Sequence, residues 1–177
     1  MSNLDVLAYN RLGQVFVAAN NAATNHIAVT NIMTGLAIYN PPGSGKILAL
    51  KTFTFQWTTA PAAVHQIGLA MIPVSATALT TATAVTVTGG VLSADCSGNS
   101  GLSVAKAYSA FTGPTTAVAC HWSGGCIYGS GVGESPYSII DPIDGEIMVR
   151  PGGAIVTCAL TTTCAGVASF SWIEIPV

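Results

Sequence analysis

The chain has 177 residues, 7% of them charged and 50% hydrophobic, with five Lys or Arg against seven Asp or Glu and a net charge of −2. The basic residues Arg11, Lys46, Lys51, Lys106 and Arg150 are scattered, which excludes the concentrated positive patch that direct nucleic-acid binding needs. Thr, Ser, Asn, Gly or Pro interrupts every apolar stretch before it reaches about 18 residues, which excludes a membrane-spanning helix.

Ordinary soluble domains carry about 25% charged residues. A surface this poor in charge is built from Thr, Ser, Asn, Gly and Ala. It predicts that neighbouring subunits cover much of it, in an obligate oligomer or a lattice.

At the N-terminus, MSNLDVLAYNR carries Asp5 and lacks a basic segment followed by a long apolar one, so no secretory signal is expected. Residues 1–25 read as an extended N-terminal arm and residues 26–177 as one β domain. Short strand-like runs then recur between Gly/Pro-rich turns. They are QVFVAA (14–19), HIAVTN (26–31), GLAIYN (35–40), ILALKTFTFQW (47–57), QIGLAMIP (66–73) and AVTVT (84–88) in the first half. YSIID (137–141), EIMVR (146–150), AIVTCAL (154–160) and VASFSWIEI (167–175) follow in the second.

The third and fourth runs flank YNPPGSGKILAL (39–50), whose GSGK invites comparison with a phosphate-binding loop. With Gly45 and Lys46 fixed, Asn40 stands where the first Gly belongs and Ile47 where a Ser or Thr would hold Mg²⁺. A strand follows in place of a helix, so the oriented N–H groups of a helix start are missing. The stretch reads as a hairpin between two long strands, with Gly43 and Gly45 taking positive φ.

In the middle of the chain, GLSVAKAYSAF (101–111) reads as a short helix or a strand. CHWSGGCIYG (120–129) and GSGVGESPY (129–137) read as loops carrying Trp122, Tyr128 and Tyr137, a candidate ligand surface or a set of packing residues. GSGVGESPY has Glu134 where a dinucleotide loop needs its third Gly, so it is not one. The last third reads as a three-stranded meander, and in its closing strand Phe170 and Trp172 share one side and should fill the core.

Chemistry-bearing residues are few. Cys120 and His121 are neighbours that a strand would point to opposite sides, which argues against a dyad. No Ser elbow occurs, and no catalytic, cofactor or metal site is expected. Asp141, Asp144 and Glu146 cluster in DPIDGE but miss the calcium-loop spacing and read as a solvated turn. Among the five Cys, Cys158 and Cys164 could face one another across a hairpin as a disulfide, or both are small buried hydrophobes.

The strand count and turn spacing predict an all-β sandwich, jelly-roll-like. TGLAIYNPPGSGKILALKTFTF, RPGGAIV and the closing FSWIEIPV resemble a group of β-rich virion structural proteins of tailed phages, over residues 34–55 and 145–177. The resemblance implies a non-enzymatic capsid decoration or cement protein on the virion surface, made in the host cytoplasm. It implies a dimer or trimer whose partner is the major capsid protein. The other class to weigh is a carbohydrate- or receptor-binding module.

Overall fold

A computed structural model describes residues 14–20, 22–30, 32–59, 65–74, 81–84, 92–93, 103–112, 116–126, 138–160 and 163–177. Among these residues every regular element is a strand. They are β1 (Val15–Ala19), β2 (Thr24–His26), β3 (Ile32–Tyr39), β4 (Lys46–Trp57), β5 (His65–Ile72), β6 (Thr81–Ala84) and β7 (Leu92–Ser93). β8 (Lys106–Thr112), β9 (Val118–Cys126), β10 (Ser138–Pro142), β11 (Met148–Val149), β12 (Ala154–Ala159) and β13 (Cys164–Pro176) complete the set. The protein is all-β, with two antiparallel sheets, as its composition and turn spacing predict.

One sheet has seven strands in the order β10-β4-β13-β1-β7, with β11 also on β4 and β2 also on β13. The other has six, in the order β6-β8-β3-β12-β5-β9. Four antiparallel pairs nest inside one another along the chain: β1 with β13, β3 with β12, β4 with β10, and β5 with β9. Successive members of this series belong to different sheets, β1 and β4 to the first, β3 and β5 to the second.

This alternation corrects three readings of the sequence. YNPPGSGKILAL is not a hairpin, because β3 and β4 lie in different sheets and the turn carries the chain across between them. The C-terminal third is not a meander, because β11 and β13 pair with β4 while β12 pairs with β3 and β5. CHWSGGC is not a loop but most of β9, the edge strand on β5. Part of the expected arm is also sheet: β1 and β2 both pair with β13, and residues 1–13 lie outside the described residues. GLSVAKAYSAF resolves as a strand over β8.

Packing follows from side-chain alternation. The core side of the seven-stranded sheet carries Phe16, Phe53, Phe55, Trp57, Phe170 and Trp172, all buried. Phe53 and Phe170 are 5.3 Å apart, Phe55 and Trp57 meet edge to face at 4.8 Å, and Phe16 and Trp172 are 6.2 Å apart. Aliphatic side chains of the second sheet, Leu36, Ile38, Ile67, Leu69 and Ile155, join the same cluster. Burying each of these side chains is worth about 1.5–3 kcal/mol. Phe170 and Trp172 sit where the alternation of β13 puts them.

The six-stranded sheet is buried on its other side as well. Met33, Ala37, Ala70, Ile72, Val156 and Cys158 form a second cluster there, with Val29 and Tyr108 packed against it. That is why β12 is buried at every position and reads as an unbroken apolar run.

The buried polar residues His26, Asn40, Thr157 and Glu174 all take part in hydrogen bonds. His26 is buried, with Nδ1 2.6 Å from Thr157 Oγ1 and Nε2 3.4 Å from the Gly166 carbonyl. The Leu36 N–H donates to the same Thr157 oxygen at 3.0 Å. All three groups are satisfied when Thr157 donates to Nδ1 and the Nε2–H donates to Gly166. Gly35 has φ +117° beside this cluster, and a Cβ there would stand 2.7 Å from His26 Nδ1. The cluster joins β2 of the first sheet to β12 and β3 of the second.

Thr157→Val strips the hydroxyl from both Leu36 and His26. It should lower unfolding free energy by about 2–4 kcal/mol, whereas Thr157→Ser should lower it by less than about 1.5 kcal/mol. Urea denaturation of the three proteins checks this; equal midpoints for the Val and Ser variants would remove the hydrogen-bonded role of Thr157.

Candidate functional site

The crossover turn is held by side chains. Gly43 and Gly45 take φ +75° and +68°, and between them Ser44 donates to Asn40 Oδ1 at 2.6 Å. The buried Asn40 amide donates to the Lys46 carbonyl at 2.8 Å and the Val149 carbonyl at 2.9 Å, pinning the turn to β11. Lys46 Nζ lies 2.9 Å from Glu174 Oε2. Glu174 is buried and also accepts from Ser103 Oγ at 2.6 Å and the Val104 N–H at 3.0 Å. The GSGK lysine is therefore the counter-ion of a buried carboxylate, and that carboxylate ties the segment before β8 to β13. Sequence reading placed Glu174 in a strand but gave no sign of this pairing.

A second polar contact closes one side of the molecule. His121 Nε2 donates to Asp141 Oδ2 at 2.7 Å, linking β9, an edge of the six-stranded sheet, to β10, an edge of the seven-stranded one. Ile139 of β10 packs close to Gly124 of β9 beside it. The Cys120 thiol is engaged with the Leu69 carbonyl at 3.4 Å rather than with His121. Asp144, at φ +48°, and the exposed Glu146 belong to a turn around the bulge in β4, where the Asp144 N–H donates to the Lys51 carbonyl at 3.0 Å. Among the described residues no three His, Cys, Asp or Glu side chains converge on a point that could hold a metal ion.

Of the three aromatic candidates, Tyr128 and Tyr137 lie outside the described residues. Trp122 is on β9, 40% exposed and directly across from Gly68. A Cβ on Gly68 would stand 2.6 Å from Trp122 Cε3, so the indole covers the strand where Gly68 leaves it bare. That packing role accounts for a Trp at this position on structural grounds.

Cys158 and Cys164 do not form the disulfide that their spacing allows. Both are free and buried, and they belong to β12 and β13, which lie in different sheets instead of facing across a hairpin. Burial pushes the Cys158 thiol up to about 12, with Cys120 nearby adding to the shift. Burial likewise pushes Cys164 up to about 12, opposed by a hydrogen bond from the Trp57 side chain. Neither is a nucleophile at neutral pH.

An open groove lies on the outward side of the seven-stranded sheet. It occupies about 430 Å³, crosses four strands and is lined by Ala19, Thr54, Gln56, Ile140, Val167 and Ser169 among others, none of them charged. Thr54 and Ser169 share a hydrogen bond of 2.5 Å in its floor, and Ile140 stands 74% exposed at its rim. Sequence reading missed this groove because its residues come from β1, β4, β10 and β13, far apart in the chain. Compared with family models, with curated proteins and with solved structures, the chain matches none.

Two outcomes follow from the thiols. Alkylation of the folded protein at pH 8, read by peptide mapping, should modify Cys120 well before Cys158 or Cys164, both of which should react only after unfolding. Between about pH 9 and about 12 the unfolded chain sheds thiol protons that the folded chain keeps. Stability is therefore full below about 9 and falls as pH rises toward 12. Thermal melts across that range should show the decline, and Cys158→Ala should make it shallower.

Proposed function

We propose that this protein is a non-enzymatic structural component of a virus particle, a capsid decoration or cement protein that works through protein contacts. The observation that carries the reading is the outward side of the seven-stranded sheet. It presents Thr52, Thr54, Ser169, Ser171, Val167 and Ile140, hydroxyl and β-branched side chains without charge, across β10, β4 and β13. Such a surface packs closely against a neighbour with little desolvation of charge. In a chain with 7% charged residues it fits a protein that spends its working life covered.

The nested pairing supports a jelly-roll sandwich. Eight strands paired first with last, second with seventh, third with sixth and fourth with fifth, and dealt alternately between two sheets, are one long hairpin folded over on itself. The remaining strands extend its edges. On this reading the homo-oligomer sits on a shell, and the major capsid protein is its partner.

The second reading, a carbohydrate- or receptor-binding module, is favoured by one observation, the 40% exposure of Trp122. The two separate experimentally. A cement protein should sediment with purified shells at a fixed ratio, and shells lacking it should burst at lower temperature or after milder osmotic shock. A binding module should instead retain specific members of a glycan array, and Trp122→Ala should abolish that retention. Failure to sediment with shells, together with retention of a glycan, would replace the first reading with the second.

A further inference from the structure

We propose that a second copy of the chain docks on the outward groove of the seven-stranded sheet in a two-fold arrangement, each copy's Ile140 seating over the other's Ala19. The proposal rests on the homo-oligomeric part of the reading above and names the surface that forms the oligomer.

Register fixes the geometry. Ile140 pairs with Thr54, Thr54 with Ser169, and Ser169 with Ala19, so these four residues form one row across β10, β4, β13 and β1. Adjacent strands are spaced about 4.8 Å apart, which puts the two ends of the row about 14 Å from each other. One end is a large, 74% exposed side chain and the other is an exposed methyl. The two middle positions are both hydroxyls, joined to each other.

A two-fold axis that runs parallel to the strands, over the midpoint of this row and in the plane between the two copies, brings the outward sides face to face and reverses the order of the row. Large then lies over small at both ends, and hydroxyl over hydroxyl in the middle. Ile140 fills the space that Ala19 and the groove of about 430 Å³ leave open. The contact is self-complementary, as an isologous interface requires.

Charge selects the same occupant. No lining residue carries a charge, and Asp141, the acidic neighbour of Ile140, is held by His121 on the other side of β10. A charged partner would lose solvation here without gaining a counter-ion. A second copy brings the same neutral side chains and loses none.

Sedimentation velocity of the full chain between about 1 and 200 µM tests this. The wild type should associate, and Ile140→Asp should weaken association by at least about 100-fold. Ala19→Phe, at the far end of the row, should weaken it comparably by filling the space Ile140 needs. Ile32→Asp, at a 59% exposed position on the six-stranded sheet, should leave association unchanged. All three substitutions fall at exposed positions, and unaltered melting temperatures would show that the fold is kept.

An oligomer indifferent to Ile140→Asp and Ala19→Phe overturns the proposed surface and leaves the homo-oligomeric reading standing. A wild type that stays monomeric throughout overturns both. A monomeric wild type that binds purified shells and loses that binding in Ile140→Asp would assign the groove to a shell protein, and the second copy would be excluded.

Discussion

Every other part of the molecule leans on the antiparallel pairing of Lys46–Trp57 with Cys164–Pro176. These are the two longest strands, and their ladder runs from Gly166 opposite Trp57 to Pro176 opposite Lys46. One side of it holds Phe53, Phe55, Trp57, Phe170 and Trp172, most of the aromatic mass of the core. Its other side is the neutral row of Thr54 and Ser169. At one end, Lys46 meets Glu174 and closes the crossover turn. At the other, β2 and His26 attach and carry hydrogen bonds across to Thr157. Because the paired segments are about 120 residues apart, closing this ladder costs loop entropy that only its extensive burial can offset.

The ladder is also irregular in a useful place. Its register shifts between Ser171 and Trp172, where Lys51 is the extra residue in β4. Opposite this bulge the chain leaves β10, turns through Asp144 and Gly145, and rejoins β4 as β11. The bulge thus divides what would be one long edge strand into two short ones. Short, interrupted edges are poor templates for unwanted strand addition. That leaves the broad side of the sheet, and not its rim, as the natural place for specific contact.

What the sequence made legible was local. Short apolar runs between turns located β1, β3, β4, β5 and β10 to β13, while the run at 26–31 meets β2 only at His26. In β13 period-two alternation placed Phe170 and Trp172 correctly, because side-chain direction in a strand is set by the residue's own position. Connectivity was illegible for an equally physical reason. A Gly/Pro turn such as NPPGSG looks the same whether its flanking strands pair with each other or cross between sheets. The difference lies in the Asn40 amide reaching Val149, 109 residues away. β9 was read as a loop because Ser123, Gly124 and Gly125 are poor strand formers. At an edge, with Trp122 spread over Gly68, such a sequence still pairs. The groove shared no motif at all, since each of four distant strands contributes no more than three neutral residues to it.

The placement of the charges connects the interior to the surface. This chain has twelve charged residues, and among the described residues Lys46 forms an ion pair with Glu174 while Asp141 accepts a hydrogen bond from His121. Both join parts that the backbone ladder leaves separate: the crossover turn to β13, and the free edge of one sheet to the free edge of the other. Charges used this way fix relative position, and they are directional where apolar packing is not. The other nine charged residues are spread thinly over the 177-residue chain, and the broad sheet face carries hydroxyls partly satisfied by one another, as Thr54 and Ser169 are. A side of that kind gains little from staying in water. The GSGK lysine, which first suggested a phosphate site, belongs instead to the internal arrangement that keeps this exterior neutral.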